Sequence, residues 1–123
     1  MEVGKSIGLA IGKATRLAFG EALKELGAED PSIVVVDADL NNSTRTDLFA
    51  KAFPERFFNC GIAESNMVGV AGGLAACGKK AWLSSFATFV MSNAYDQLRM
   101  SVAYPGWNVK VVGSHSGISI GED

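Results

Sequence analysis

Four consecutive β-branched residues, Ile33-Val34-Val35-Val36, constrain the fold of this chain more than any other feature of its sequence. The run does not alternate with polar residues, and this pattern is typical of a parallel strand that is buried on both faces. Such a strand needs helices above and below it, so the run predicts an α/β architecture. It is followed by two acidic residues, Asp37 and Asp39, and by a polar loop at 41–44.

Helical and strand patterns alternate along the rest of the chain. The apolar spacing, with Gly27 as a C-cap and Pro54 as a stop signal, predicts four helices and three further strands. Their alternating order predicts an open, mostly parallel sheet with helices on both faces, in one domain that spans 1–123. The predicted helices are 13–26, 46–53, 62–77 and 90–103, the further strands are 56–60, 80–85 and 107–113, and a Phe-rich turn covers 86–89.

The composition limits the partners that the chain can have. The 123 residues carry a net charge of −2, and the eleven Lys and Arg residues are dispersed. No stripe of positive charge for nucleic acid is visible, and no apolar segment approaches the ~20 residues that span a bilayer. Hydrophobic residues make up 48% of the chain. This fraction is high for a small monomer, which suggests that another chain covers part of the apolar surface, so we expect an oligomer.

Two cysteines, Cys60 and Cys77, lie on apolar elements of a chain that has one histidine. Neither a disulfide framework nor a zinc site can be assembled from them. We therefore expect two buried free thiols, a cytoplasmic protein and no metal ligand in this chain.

The segment 56–75 predicts a ligand-binding carboxylate. A short buried strand, 56–60, breaks at Gly61 into a helix whose first turn carries Glu64 near position N3. Ligands of α/β sheets bind outside the carboxyl ends of the strands, so Glu64 is well placed to contact one. The alternative is that Glu64 only caps the free N–H groups of its own helix.

Three glycines, Gly69, Gly72 and Gly73, follow on the same predicted helix. Their i, i+3, i+4 spacing gives the helix a bare face, despite a cost of ~1 kcal/mol per glycine in helix propensity. We expect another backbone or helix to pack closely on this face.

Further candidate residues follow the other predicted strands. Phe86 and Phe89 form either a stacking wall for a flat heterocycle or a part of the core. Asp37 and Asp39 have no third metal ligand in view, so a solvated turn or an interface contact explains them better. His115, the single histidine, lies in a loop after a strand, where we expect it to contact a ligand.

Several separated blocks of this sequence together resemble the pyrimidine-binding domain of transketolase. The resemblance runs from about Lys13 to Asp123, and the consistent order and spacing of the blocks make it more specific than any single motif. The blocks are Thr15-Arg16, Val36-Asp37-Ala38-Asp39-Leu40, Asn42-Ser43-Thr44, Phe86-Ala87-Thr88-Phe89, Ala94-Tyr95-Asp96-Gln97-Leu98-Arg99, and the stretches 57–75 and 113–123.

The resemblance implies a thiamine diphosphate site at a subunit interface. In that family a domain with a Gly-Asp-Gly motif holds the diphosphate and Mg²⁺, whereas a domain like this one holds the aminopyrimidine. Glu64 would be the catalytic residue that bonds N1′ of the ring and favours its imino tautomer. Phe86 and Phe89 match the aromatic wall against the ring, and Asp39 with Leu40 matches the loop that reaches the cofactor.

Sugar phosphate substrates are implied by the same resemblance. Arg16, Ser43 and His115 match positions that contact the phosphate, and a cation with neutral donors suits a dianion. Asp123 matches the acid that contacts a substrate hydroxyl. Two departures matter: the Gly-Pro and His that usually follow this acid are absent, which leaves substrate binding incomplete, and an aromatic is replaced around Ser92, which loosens the pyrimidine pocket.

We therefore expect the pyrimidine-binding part of a transketolase, truncated at its C-terminal end, which transfers a two-carbon ketol unit from a ketose phosphate to an aldose phosphate. Met1 begins just before the domain, so we interpret the chain as the C-terminal section of a split enzyme. It would be inactive alone and would act with a diphosphate-binding partner subunit, in a hetero-oligomer or with self-association.

Two other interpretations stay open. Deoxyxylulose phosphate synthase and the β subunit of a 2-oxo acid dehydrogenase carry the same half-site, although Asn66-Met67 and the stretch 114–117 favour transketolase. A non-catalytic α/β subunit that serves only in assembly is the alternative of a different class.

Overall fold

The computed structural model describes residues 4–118 and folds them around a parallel sheet. The strands are β1 Ile33–Asp37, β2 Phe57–Asn59, β3 Lys80–Phe86 and β4 Val109–Ser114, in the order β2-β1-β3-β4. The helices are α1 Thr15–Glu29, α2 Asn41–Thr44, α3 Asp47–Ala52, α4 Glu64–Ala76, α5 Ala87–Asn93 and α6 Tyr95–Gln97, with a π-helical segment Leu98–Ala103 and 3₁₀ turns Lys5–Ile7 and Pro54–Arg56. This confirms the predicted α/β class, an open parallel sheet with helices on both faces.

β1 is buried on both faces, as its unbroken apolar run predicts. Val34 and Val36 belong to the core that the sheet forms with α4. Ile33 and Val35 belong to the second core, where they pack with Phe49 of α3 and with α1. Each such side chain contributes ~1.5–3 kcal/mol when it leaves water, so the strand holds the two helical layers together.

The strand predicted over 56–60 is present as β2, but the prediction that it is buried is wrong. β2 lies at one edge of the sheet, where it pairs with β1, and both Phe58 and Asn59 are exposed. The apolar composition of the segment indicated burial, but an edge strand has a neighbour on one side only. The polar group on Asn59 is therefore free to contact the adjacent loops.

α1 continues through Gly27, which the sequence predicted to be its C-cap. Gly27 is buried inside the helix, because a Cβ atom there would lie 2.4 Å from Cε2 of Phe49 on α3. The helix ends at Glu29, and the N–H of Asp30 bonds the carbonyl of Leu26. This glycine marks a close approach between two helices and not the end of one.

The helix predicted over 90–103 is divided into three pieces. α5 already begins at Ala87, so the predicted turn 86–89 is helical from that residue onward. After α6, the π-helical segment has the N–H of Tyr104 bonded to the carbonyl of Arg99 at 2.8 Å, five residues back. The wider turn brings this segment against α4.

Gly72 makes the close contact that the three glycines of α4 predict. A Cβ atom on Gly72 would lie 2.5 Å from the carbonyl oxygen of Ser101 in the π-helical segment. Added Cβ atoms on Gly69 and Gly73 would meet no heavy atom of the described chain within 4 Å. The predicted close packing is thus confirmed at Gly72, and at Gly69 and Gly73 it stays a prediction.

Both cysteines are free, as predicted, but their burial was overestimated. Cys60 is half-buried and Cys77 is exposed. Burial raises the pKa of the Cys60 thiol, and the nearby charge of Asp37 adds to the effect. Over residues 4–118, no helix is long and apolar enough to cross a membrane.

Substitution at Gly72 should destabilise the fold, whereas the same substitution one turn earlier should not. Gly72→Ala forces the π-helical segment away from α4, and we expect a loss of ~1–3 kcal/mol in the free energy of unfolding. Gly69→Ala is the matched control, because its side chain meets open space and its better helix propensity adds ~0.5–1 kcal/mol. Urea unfolding followed by circular dichroism measures both; equal stabilities would contradict the packing role of Gly72.

Candidate functional site

The carboxyl ends of β1 and β3 form the point at which the sheet topology reverses. From β1 the chain passes to β2 on one side, and β3 returns to the other side of β1 and leads to β4. Ligands of open α/β sheets bind in the crevice outside such strand ends. Asp39 and Leu40 follow β1, and Phe86 is the last residue of β3, so three of the predicted site residues border this crevice.

Glu64 is the first residue of α4, and not N3 as predicted, because the helix begins two residues later than expected. Its relative exposure is 6%. Oε2 accepts a hydrogen bond from Nδ2 of Asn93 at 3.2 Å, and the hydroxyl of Ser65 donates to the Asn93 carbonyl. The carboxylate therefore contacts α5, and α4 has no side-chain cap at its N-terminus.

Phe86 and Phe89 form a stacked aromatic pair at the start of α5. Their ring centroids lie 5.5 Å apart with an interplanar angle of 22°. Phe86 is buried and Phe89 is half-buried, so the pair belongs partly to the core and partly to the site. Phe89 and Asn93 are four residues apart on one helix, which places them on the same face. The aromatic pair and the Glu64 partner thus share one side of α5.

Asp37 is fully buried, which corrects its interpretation as a solvated turn or an interface residue. Its Oδ1 accepts from the Leu40 N–H at 2.8 Å, and its Oδ2 accepts from the Thr46 hydroxyl at 2.9 Å. Thr46 in turn shares a hydrogen bond with Thr44. Burial raises the pKa of Asp37, and these hydrogen bonds oppose that rise. The carboxyl holds the connection from β1 to α3 in place.

Asp39 lies on the opposite side of the same connection and is exposed. Its backbone is left-handed, with φ 65°. The side chain of Asn59, at the end of β2, accepts from the Asp39 N–H at 3.1 Å and donates to Asp39 Oδ1 at 3.2 Å. The loop that carries Asp39 and Leu40 is therefore tied to the strand that leads toward α4.

Arg16, in the first turn of α1, reaches Ser43 on α2, the short helix that the structure has in place of the predicted polar loop at 41–44. Its Nη1 donates to the Ser43 carbonyl at 3.2 Å. The N-terminus of α1 has neither a side-chain cap nor an acidic residue in its first turn. Its free N–H groups and the guanidinium both favour an anion at this place.

A cavity of about 490 Å³ opens between the start of α1 and the end of β4. Arg16 and His115 both line it, together with Phe19 and the hydroxyl-bearing Ser114 and Ser116. The structure thus brings together Arg16 and His115, 99 positions apart in the sequence (115 − 16). A cation, an imidazole and hydroxyl groups around one cavity suit a phosphorylated ligand.

His115 connects this cavity to the aromatic pair. Its ring centroid lies 4.2 Å from that of Phe86, and its Nδ1 lies 2.8 Å from the Ser114 hydroxyl. A second cavity, of about 500 Å³, lies on the other side and is lined by Phe86, His115 and α5 residues that include Ser92. His115 therefore lines both cavities, and its contact with a ligand stays a prediction.

Most of the predicted site residues lie at the carboxyl end of the sheet. Asp123 lies outside the described residues. The side chains of Asn59 and Asn93 were missed by the sequence analysis, because their partners lie 20 and 29 positions away in the chain. In the part of the chain that the structure describes, no group of three or more His, Cys, Asp or Glu residues could hold a metal ion.

Residues 12–123 match the family model of the transketolase pyrimidine-binding domain. The chain belongs to that family. Over 111 residues it is 53% identical to a Methanocaldococcus jannaschii protein described as a transketolase C-terminal section, and 45% identical to human transketolase. The alignments cover 90% and 89% of this pyrimidine-binding domain chain, but 35% and 18% of the two relatives.

Solved transketolase structures share the fold of this pyrimidine-binding domain. A split-gene transketolase, described as an inactive β4 tetramer, has a TM-score of 0.76 at 56% identity and is covered over 34% of its length by 84% of this chain. Transketolase from Leishmania mexicana has a TM-score of 0.79 at 25% identity, with coverage of 100% of this chain and 20% of that one. The chain thus spans about a third or less of these relatives.

Removal of the Asp37 carboxyl should loosen the β1–α3 connection of the transketolase domain. In Asp37→Ala, the Leu40 N–H and the Thr46 hydroxyl lose their acceptor, and we expect a loss of ~1–3 kcal/mol in the free energy of unfolding. The control Asp96→Ala, at an exposed residue paired with Arg99, should change stability by less than ~0.5 kcal/mol. Urea unfolding measures both variants.

The same residue should make stability depend on pH. Burial raises the pKa of Asp37 above its ordinary value of 3.8, so the folded state binds this proton more tightly than the unfolded state. The resulting stabilisation is fully present below pH 3.8 and is lost as the pH rises through the raised pKa. Asp37→Asn cannot titrate, so the stability of the parent relative to this variant should fall as the pH rises; a constant difference would contradict the assignment.

Proposed function

We propose that the chain forms the pyrimidine-binding half of a transketolase active site, in which Glu64 is the catalytic residue. The observation that carries this proposal is the buried carboxylate at the start of α4, joined through Asn93 to the helix that bears Phe89. A carboxylate beside stacked aromatic rings suits a flat heterocycle with a basic nitrogen. Membership of the pyrimidine-binding family supports the aminopyrimidine of thiamine diphosphate as that heterocycle.

The residues at this place fit an aminopyrimidine ring. Nδ2 of Asn93 donates a hydrogen bond to Oε2 of Glu64, and within residues 4–118 no group donates one to Oε1. That oxygen is available for N1′ of the ring. Phe86 and Phe89 supply an aromatic wall, and Asp39 with Leu40 supplies the loop at the neighbouring strand end. Of the two carboxylates in this set, Glu64 is the buried one, and it can distinguish a ring nitrogen from an apolar ligand.

Thiamine diphosphate, when bound, supplies the carbon nucleophile that carries a two-carbon ketol unit from a ketose phosphate to an aldose phosphate. Glu64 would share a proton with N1′ and so control the protonation of the ring. The N-terminus of α4 places positive partial charge beside this side chain. Phe86 and Phe89 would exclude water from one side of the ring and limit its rotation.

The cavity between α1 and β4 supports sugar phosphates as substrates. Arg16 and His115 line it, and the uncapped N-terminus of α1 adds positive partial charge. The bond from Arg16 to the Ser43 carbonyl keeps Ser43 near this anion site. We assign these three residues to the substrate phosphate and Asp123 to a substrate hydroxyl.

A diphosphate-binding partner subunit would complete the site and hold the diphosphate and Mg²⁺. The description of the split-gene relative as an inactive β4 tetramer supports a need for such a partner. The bare surface of α4 at Gly69 and Gly73 offers a contact area, and Ile62, which precedes the helix, is a further exposed apolar side chain. The two free thiols suit a reducing cytoplasm, and we propose pentose phosphate metabolism as the setting.

Glu64→Gln should abolish most turnover without loss of the fold. The amide can still accept from Asn93, but it cannot hold a proton at N1′, so we expect kcat to fall by ~10²–10⁴-fold. The assay is ketol transfer from xylulose 5-phosphate to ribose 5-phosphate, after the chain is mixed with a Gly-Asp-Gly-bearing diphosphate subunit, thiamine diphosphate and Mg²⁺. Glu55→Gln, on the exposed Pro54–Arg56 turn, is the control.

Two results of that experiment would count against the proposal. Unchanged turnover in Glu64→Gln would favour a subunit that serves only in assembly. Turnover by the isolated chain would contradict the need for a diphosphate-binding partner.

Arg16→Gln should weaken the binding of phosphorylated substrates selectively. Loss of a charge-assisted hydrogen bond costs ~1.5–3 kcal/mol, so we expect the KM for xylulose 5-phosphate to rise by at least ~10-fold with kcat within ~threefold. The KM for an unphosphorylated ketose should stay unchanged. Arg99→Gln is the control, since Arg99 is exposed and pairs with Asp96. A parent complex that uses a 2-oxo acid and no sugar phosphate would support the dehydrogenase alternative.

A further inference from the structure

We propose that Asn59 is a positioning residue, which sets the relative placement of the two loops on either side of the pyrimidine site. This inference rests on the proposed function, because the site in question is the one assigned to thiamine diphosphate. Asn59 is the last residue of β2, so it lies between the β1–α2 connection and the segment that enters α4.

One amide side chain bonds to both loops. Oδ1 of Asn59 accepts from the N–H of Asp39 at 3.1 Å and from the N–H of Gly61 at 2.9 Å. Nδ2 donates to Oδ1 of Asp39 at 3.2 Å. An amide is suited to this task because it offers an acceptor with two lone pairs and a donor on the same planar group.

The two residues that bond to Asn59, which are Asp39 and Gly61, both have left-handed backbones. φ is 65° at Asp39 and 70° at Gly61. A residue other than glycine keeps this conformation only where its surroundings determine it, and at Asp39 the amide of Asn59 bonds both the backbone and the side chain. Without Asn59, the Asp39 N–H keeps its interaction with the Asp37 carboxyl, but the Asp39 side chain loses the bond from Asn59 and the loop loses its link to Gly61.

The two loops lead directly to residues on opposite sides of the proposed site. Leu40 follows Asp39, and Glu64 lies three residues after Gly61. Asp37 also bonds the Leu40 N–H, but in the described chain its side chain does not reach the segment 61–63. Asn59 is thus the side chain through which the Asp39 loop and the start of α4 keep a constant separation.

The fold does not depend on this side chain. Asn59 is exposed on an edge strand, and the two cores and the Asp37 hydrogen bonds involve other residues. Loss of Asn59 should therefore disturb the cofactor site while it leaves the unfolding temperature nearly unchanged. The phosphate site should also be spared, because Arg16 lies on α1, His115 follows β4, and Ser43 lies on α2, whose preceding residue Leu40 stays bonded to Asp37.

The test compares Asn59→Ala with the parent and with Asn108→Ala, a control at an exposed asparagine that precedes β4. Each full chain is reconstituted with the diphosphate-binding subunit, and the Kd for thiamine diphosphate with Mg²⁺ is measured by titration calorimetry. For Asn59→Ala we expect the Kd to rise at least ~10-fold, the KM for xylulose 5-phosphate to stay within twofold, and the amide hydrogens of Asp39 and Gly61 to exchange faster in the chain alone.

A second variant, Asn59→Asp, covers the case in which Asn59→Ala does not fold. It keeps an oxygen acceptor for both N–H groups but places a carboxylate oxygen against Oδ1 of Asp39, and the like charges repel, so its cofactor Kd should also rise above that of the parent. Cofactor binding by Asn59→Ala within twofold of the parent would overturn the positioning role. A parallel loss of cofactor affinity, sugar phosphate affinity and unfolding temperature would also overturn it, since Asn59 would then act through stability alone. Failure of the parent complex to bind thiamine diphosphate would instead refute the proposed function.

Discussion

Burial of β1 on both faces is the constraint on which the rest of this structure depends. A strand of this kind must be covered by a helical layer on each side, and the two cores meet along it. The strand also has a free carboxyl end, where peptide groups and polar side chains need partners. The apolar run therefore determines the architecture and, at the same time, an end of the sheet at which polar side chains can gather outside the core.

The carboxyl of Asp37 resolves the conflict between a buried strand and a polar connection. Its complete burial is costly, and the bonds from Leu40 and Thr46 offset that cost. The backbone N–H of Leu40, after the end of β1, then has a protein acceptor in place of water. Asp39, which is exposed, can face a ligand because the hydrogen bonds of the buried Asp37 are already made within the protein.

The sequence predicted features that depend on local pattern and missed those that depend on distant partners. β1 and β3 follow from apolar runs, and Glu64 follows from its place after a strand and a glycine, together with the family resemblance. Gly27 was misread because its role is set by the ring of Phe49 on another helix. Asn59 and Asn93 carry no pattern of their own, since each is defined by a hydrogen bond across the fold. Sequence periodicity predicts which side chains are buried, but it does not predict which distant residue a polar side chain will bond.

The π-helical segment 98–103 bears on how this domain tolerates changes in length. A turn closed by a bond from residue i to i+5 holds one residue more than a turn of α-helix, and the surplus is confined to that turn. A single insertion or deletion between α5 and β4 can thus be absorbed by conversion between α and π geometry. Neither Phe89 at the start nor His115 beyond the end of this region would then be displaced, so the length of the helix is free to vary while the ends that carry the site stay in register.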